Sequence, residues 1–210
     1  MEALQYLKRV DGRLSKVIDS IGEIETMTYS QSLDSYAFLV KEIVGQMISS
    51  KVKRIIWERF SNICAGKISP ESICLLSEEE LRNIGLSRAK SQYILNLTEK
   101  VLQGEIVFST FDNMSDEDVI RALTKVKGIG VWTSKMYLIF FLKRKDVLPY
   151  EDVAFIQAFK WLYNSNEATS ESIKNTCEKW KPYSSIGALY MYRALDSGLT
   201  KIPINVFLNK

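Results

Sequence analysis

The sequence predicts an all-α fold, a compact bundle of about ten helices joined by short connections. Three observations carry this. Apolar residues recur three and four positions apart along most of the chain, and few stretches alternate in the period-two manner of a strand. Helix-start signals, a serine followed by proline or acidic residues, open several of these periodic stretches. Ten glycines and four prolines in 210 residues stand mainly between them, as punctuation. With 46% hydrophobic and 25% charged residues the composition is that of a globular protein, long enough to bury a core without staples.

In chain order, residues 1–32 read as a helical lead-in. Leu33, Tyr36, Ala37, Leu39, Val40, Ile43 and Val44 give the first strong helix, almost entirely apolar on its face until Gly45-Gln46 interrupts it before Met47-Ile48. Val52, Ile55, Ile56, Phe60 and Ile63 give the second; Tyr36, Phe38 and Trp57 are assigned to core packing. Ser69-Pro70 starts another helix, with serine as N-cap and proline at the first helical position. Ser77-Glu78-Glu79-Glu80 is a capping box whose helix stops at Gly85. Ser87 caps a helix with the stripe Tyr93, Ile94, Leu97 and Val101, ending at Gly104. Ser115-Asp116-Glu117-Asp118 opens one carrying Val119, Ile120, Leu123 and Val126. A tight turn, Lys127-Gly128-Ile129-Gly130, leads into a helix over 131–143, and further helices cover 152–163, 170–180 and 185–197.

The longest apolar run, Met136 to Leu142, is far short of the roughly 20 residues that span a membrane. The N-terminus shows no basic segment followed by an apolar one, so the expected location is the cytoplasm, on the nucleoid in a bacterium. Histidine is absent, which removes Ser-His triads, histidine bases and most zinc enzymes. Three scattered cysteines, Cys64, Cys74 and Cys177, make neither a disulfide framework nor a four-cysteine cluster within this chain. Twenty-eight basic against 25 acidic residues leave a net charge of +3, which permits a nucleic-acid partner without demanding one.

The first chemical hint is the turn. Glycines at alternate positions leave the backbone bare around Ile129, which can tuck between the flanking helices. The amides of the turn and of the following helix start then form a site for a phosphate oxygen. The segment from Asp118 to Asp152, with its Gly-Ile-Gly turn and downstream aspartate, resembles the helix–hairpin–helix DNA glycosylases, and within them the 3-methyladenine DNA glycosylase II branch. Three further stretches agree in family order: Phe38 to Ser49, Gly85 to Lys90 and Trp180 to Ser185. The resemblance spans about residues 33–198; the N-terminal β-rich domain of larger members has no counterpart in this chain. It implies one glycosylase unit with an active-site cleft between two lobes, about 33–143 and about 1–32 with 144–210.

The resemblance also assigns roles. Asp152, just before the helix that starts at Val153, matches the catalytic carboxylate and is at the same time an N-cap. A helix N-terminus favours an anion, and an anion stabilises the oxocarbenium charge that builds as an N-glycosidic bond breaks. Glu151 is its neighbouring fallback. Trp132 stands where lyase-competent relatives carry lysine, and Lys135 lies nearly a turn away, so base release without strand cleavage is expected. Trp132, Tyr192 and Tyr190 are assigned to the base pocket, where a cationic alkylpurine would stack, and Gln46 and Met47 to the wedge that fills the hole left by the flipped base, Gln46 facing the widowed partner.

Gly128, Gly130, Thr133, Lys125 and Lys127 are assigned to DNA grip. The carbonyls of Thr124, Val126 and Ile129 are expected to hold a monovalent cation, Na+ or K+; no cofactor is required for the reaction. Ser184 stands where relatives usually have arginine, so an ion pair or phosphate contact is expected to be missing. The expected activity is monofunctional excision of 3-methyladenine and 7-methylguanine from damaged double-stranded DNA by a monomer. The alternatives are a glycosylase for deaminated or other damaged bases and a non-catalytic DNA-binding module.

Overall fold

The computed structural model describes residues 2–24 and 34–209. Among them lie thirteen α-helices and no strand: α1 (Glu2–Val10), α2 (Gly12–Ile21), α3 (Ser35–Gly45), α4 (Ser50–Ile63), α5 (Pro70–Ile73), α6 (Glu78–Asn83), α7 (Arg88–Leu102), α8 (Asp116–Leu123), α9 (Val131–Met136), α10 (Val153–Tyr163), α11 (Ser170–Cys177), α12 (Ser184–Asp196) and α13 (Ile204–Leu208). The all-α expectation holds; α5 and α6 are the short helices expected at Ser69 and Ser77, and the elements beyond the expected ones are the second helix of the lead-in and α13. The lead-in is α1 and α2, and the rest of it, residues 25–33 with Leu33, lies outside the described residues. No helix among the described residues is long and apolar enough to cross a membrane.

Local chemistry sets most helix starts. Ser69, Ser77, Ser87 and Ser115 accept from the amides of Ser72, Glu80, Lys90 and Asp118, the third residues of α5 to α8. Asp11, Asp34, Ser49, Asp152 and Thr169 do the same for α2, α3, α4, α10 and α11, each such cap being worth about 1 kcal/mol. The stretch 131–143 differs from expectation. Its α-helical part ends at Met136, Tyr137–Phe141 is π-helical, and Lys143 has φ +55. A run of large apolar side chains with no polar position gives a sequence pattern no means of telling 3.6 residues per turn from the wider π turn.

The chain divides into two compact units. Tyr29–Tyr137 is continuous in sequence; Met1–Thr28 and Leu138–Lys210 make the other. In the continuous unit α3 is the spine: Tyr36 to Val40 and Ile43, Val44 are buried all round, as befits a helix apolar on every side. Phe60, Ile94, Leu97, Leu123 and Tyr137 complete that core. Tyr36 and Phe38 are buried as expected; Trp57 is half-buried and stacks on Phe60.

The two-ended unit closes around Leu7, Leu14, Phe155, Phe159, Trp180 and Met191. Within that core Asp11 is 2% exposed and accepts from the amides of Arg13 and Leu14 at 3.1 Å, from Trp180 Nε1 at 2.9 Å and from the Tyr163 hydroxyl, with Lys179 Nζ at 3.1 Å. Burial pushes the Asp11 carboxyl up, but these partners outweigh it and hold its pKa below the usual carboxylate value.

Candidate active site and DNA interface

Asp152 is 8% exposed. It sits in extended conformation at the start of α10, after a turn in which its amide bonds the Pro149 carbonyl at 3.0 Å. Its Oδ1 accepts the Phe155 amide at 2.8 Å, which fixes the carboxylate at the positive end of the helix. From α12, Tyr192 faces this carboxylate. Its ring packs edge-on to Phe155, with centroids 6.4 Å apart, and tilted on Phe140 at 6.1 Å. The Tyr192 hydroxyl is buried close to the Asp152 carboxylate, without a well-formed hydrogen bond among the described residues. Burial first, and then the Asp152 charge, push its pKa far above the ordinary tyrosine value, so it remains an O–H. An anchored carboxylate beside an aromatic wall and a neutral phenol can stabilise a cation and orient a water. Glu151 is half-buried, outside α10.

Tyr190 is not part of this site. It is 2% exposed, belongs to the core, and its hydroxyl donates to the Gly22 carbonyl at 3.0 Å. Residues two apart on a helix point to different faces, so Tyr192 and Tyr190 cannot share one pocket wall. Ser184, in place of the usual arginine, donates from its amide (3.3 Å) and its hydroxyl to Asp146 Oδ1, while the Ser185 hydroxyl accepts from the Val147 amide at 2.9 Å. The two serines thus pin residues 145–147 to the start of α12 instead of offering a guanidinium.

In the continuous unit, α8, the 124–130 turn and α9 form the helix–hairpin–helix. Val126 and Ile129 are buried and the Ile129 amide bonds the Val126 carbonyl at 3.0 Å, so Ile129 does tuck inward. The two glycines differ. Gly128 has φ +92, and a Cβ there would stand 2.1 Å from Cγ of Tyr93, so both backbone and packing require glycine. Gly130 has ordinary extended φ of −97, is exposed, and would have nothing within 4 Å of a Cβ. It is the N-cap of α9 and supplies no side-chain cap, so the amides at the start of α9 point along the helix axis away from its own carbonyls.

Thr133 is 2% exposed, so its side chain belongs to the core and only its amide suits phosphate binding; this corrects the sequence assignment. Lys125 and Lys127 are exposed, and Trp132 is half-buried on α9. The carbonyls of Thr124, Val126 and Ile129 come from one short turn, and that of Val126 accepts the Ile129 amide at 3.0 Å.

Met47, at the turn between α3 and α4, is fully exposed with φ +55, the posture of a presented side chain rather than a buried helical one. Gln46, expected to face the widowed base, makes a contact within the protein: its Nε2 donates to the Gly128 carbonyl at 2.9 Å. That contact, Tyr93 on Gly128, and the walls Phe140 and Phe155 had no sequence signal beyond aromatic residues at helical spacing.

Residues 40–182 match the HhH-GPD superfamily of base excision DNA repair proteins. The chain is 28% identical over 196 residues to the alkylbase DNA glycosidase-like protein mag2 of Schizosaccharomyces pombe, covering 91% of this chain and 92% of that one. The crystal structure of DNA-3-methyladenine glycosidase from Bacillus halodurans superposes with a TM-score of 0.83 at 31% identity, over 95% of this chain and 91% of that one. The S. pombe 3-methyladenine DNA glycosylase Mag1, solved in complex with abasic DNA, gives 0.84 at 26% identity, over 93% and 97%. Against a longer Bacillus subtilis relative, 28% identical over 171 residues, this chain spans 59% of the length. A family match over most of the chain and a shared all-α architecture agree with the hairpin and the capped aspartate: the chain belongs to the HhH-GPD superfamily of base excision DNA repair proteins.

Proposed function

We propose that this protein is a monofunctional, monomeric DNA glycosylase that flips alkylated purines, 3-methyladenine and 7-methylguanine, out of duplex DNA and hydrolyses their N-glycosidic bond. The observation that carries the reading is Asp152: a nearly buried carboxylate, anchored by the Phe155 amide at a helix start and faced by Tyr192. An alkylated purine is already cationic and leaves as a neutral base when the C1′–N bond breaks, so no general acid is needed. The sugar is left as an oxocarbenium cation, which the Asp152 carboxylate stabilises while it orients the water that adds to C1′ and then loses a proton. Trp132, in place of a lysine, offers a π-face to the cationic base and no amine for a Schiff base. The α9 amides with Lys125 and Lys127 grip the phosphates, and a Na+ or K+ held by the carbonyls of Thr124, Val126 and Ile129 would supply one more positive charge to a phosphate oxygen.

The test is to incubate the protein with duplex DNA treated with a methylating agent and to identify the released bases. Release of 3-methyladenine and 7-methylguanine is expected. Release of deaminated bases alone from a mixed panel would reassign the substrate, and no release with retained DNA affinity would make the chain a binding module. Asp152→Asn should fold normally, bind DNA at least as tightly, and lose base release by at least about a hundredfold, the scale on which preorganised electrostatic groups act. A variant with near-wild-type turnover would remove Asp152 from the mechanism.

A further inference from the structure

Two turns that the sequence separates by 82 residues are joined through one side chain. Gln46 immediately precedes Met47, the exposed residue at φ +55, and its Nε2 donates to the carbonyl of Gly128 in the hairpin at 2.9 Å. Each turn is also held to α7. On the hairpin side, Tyr93 packs against the bare Cα of Gly128, and Asn96 Oδ1 accepts the Lys127 amide at 3.0 Å. On the Met47 side, Lys90 Nζ caps the end of α3 by donating to the Val44 carbonyl at 2.9 Å, and the Gln46 amide bonds Ile43 O at 3.3 Å. Tyr93, Asn96 and Lys90 are neighbours on one helix. The bond from Gln46 to Gly128 closes this frame directly, using one of the two side-chain N–H donors and fixing the direction in which the amide points.

We infer that Gln46 is a positioning residue: it fixes the register between the Met47 turn and the hairpin, so that phosphate grip sets the depth at which Met47 enters the duplex. This rests on the reading of the protein as a DNA glycosylase. A glutamine that reads the orphaned base would act on the DNA itself; a glutamine that ties two protein turns acts only through Met47. The hydrogen bond is partly buried, and one of this kind is worth a few-fold to about tenfold in an equilibrium.

The test has one arm without DNA and one with it. Gln46→Met keeps the side-chain length and removes the donor; Gln46→Glu also removes it and sets a carboxylate against the carbonyl. In the DNA-free protein, hydrogen exchange of a peptide covering residues 126–131 should speed up in both variants while a peptide from α10 stays unchanged. Unchanged exchange at 126–131 overturns the tether, whatever the protein binds, and a global rise marks a folding defect and moves the test to Gln46→Asn, whose shorter amide cannot reach the carbonyl. In the second arm, insertion is followed by the fluorescence of a 2-aminopurine placed next to an abasic-site analogue on the same strand, with the opposite base varied. Gln46→Met should weaken the preference for this duplex over an undamaged one by a few-fold to about tenfold, equally for every base placed opposite the site. In a Met47→Ala background the same change should add less than about twofold, because its effect passes through Met47. An effect that changes with the opposite base, or that multiplies with that of Met47→Ala, would assign Gln46 to base contact and overturn the proposal. If the wild type shows no affinity for either duplex, the glycosylase reading has failed, and the exchange arm still decides the tether.

Discussion

Replacing the two hairpin glycines one at a time should give different phenotypes. At Gly128 an alanine must take φ near +92, in a region that costs an L-residue about 1–2 kcal/mol, and its Cβ would meet the Tyr93 ring at 2.1 Å. Relieving that overlap means moving Tyr93 off α7, an overpacking cost of about 1–3 kcal/mol. The sum of about 2–5 kcal/mol is a large part of a typical net stability and corresponds to a melting point about 5–15 °C lower. At Gly130 the φ of −97 and the open space around a Cβ leave only the poorer capping of alanine, about 0.5 kcal/mol and about 1–2 °C. Gly130→Ala is therefore the variant that tests phosphate binding. A methyl group at the bare start of α9 should weaken affinity for damaged and undamaged duplexes by similar factors, since phosphate contacts carry no information about the lesion. Thermal melting by circular dichroism reads the first effect, and fluorescence anisotropy on two duplexes reads the second. Tyr93→Ala combined with Gly128→Ala should recover part of the lost melting temperature. Equal melting of the two single variants would refute the packing account, and loss of affinity for the damaged duplex alone would place lesion recognition in the hairpin.

Other outcomes follow from the same geometry. Product DNA should stay intact until heat or alkali is applied, and borohydride should trap no protein–DNA adduct; an adduct would show that an amine replaces the missing lysine. Tyr192→Phe removes a buried hydroxyl that lies close to Asp152 without a well-formed hydrogen bond, so it should change stability by less than about 1 kcal/mol in chemical denaturation; a loss above about 1 kcal/mol would mean that the hydroxyl is satisfied. Asp11 has a folded-state pKa below its ordinary 3.8, so its stabilisation is complete above that value and is lost as pH falls through the folded pKa. Asp11→Asn should lower stability at neutral pH by about 3 kcal/mol and flatten the loss below about pH 4; an unchanged acid profile would remove the carboxylate from that role.

What could be read from the sequence was what is local. Ser69, Ser77, Ser87, Ser115 and Asp152 were legible as helix starts because a cap bonds an amide three residues on, within the reach of a motif. The hairpin was legible for the same reason. Its two glycines looked alike because Tyr93, which distinguishes them, lies 35 positions upstream in sequence. Tyr190 is misassigned by sequence because proximity along the chain stands in for a shared helix face, and the burial of the Thr133 side chain has no signal next to the hairpin motif. The partners of Gln46 and Asp11 lie 82 and up to 169 residues away, and no periodicity or motif reports a contact at that distance.

The separation at Asp11 bears on the order in which a ribosome can complete this protein. Residues 1–24 leave the exit tunnel ahead of the groups that satisfy Asp11, which come from Tyr163, Lys179 and Trp180, the last 169 residues later. At usual elongation rates the wait is roughly ten to thirty seconds. During that time all of Tyr29–Tyr137, a compact unit continuous in sequence, has been synthesised. A nascent chain therefore owns its hairpin and its presented methionine before Asp152 has been added, and Asp152 waits again for Tyr192 on α12. The part that holds a nucleic acid is finished early, and the part that would break a bond in it is finished last.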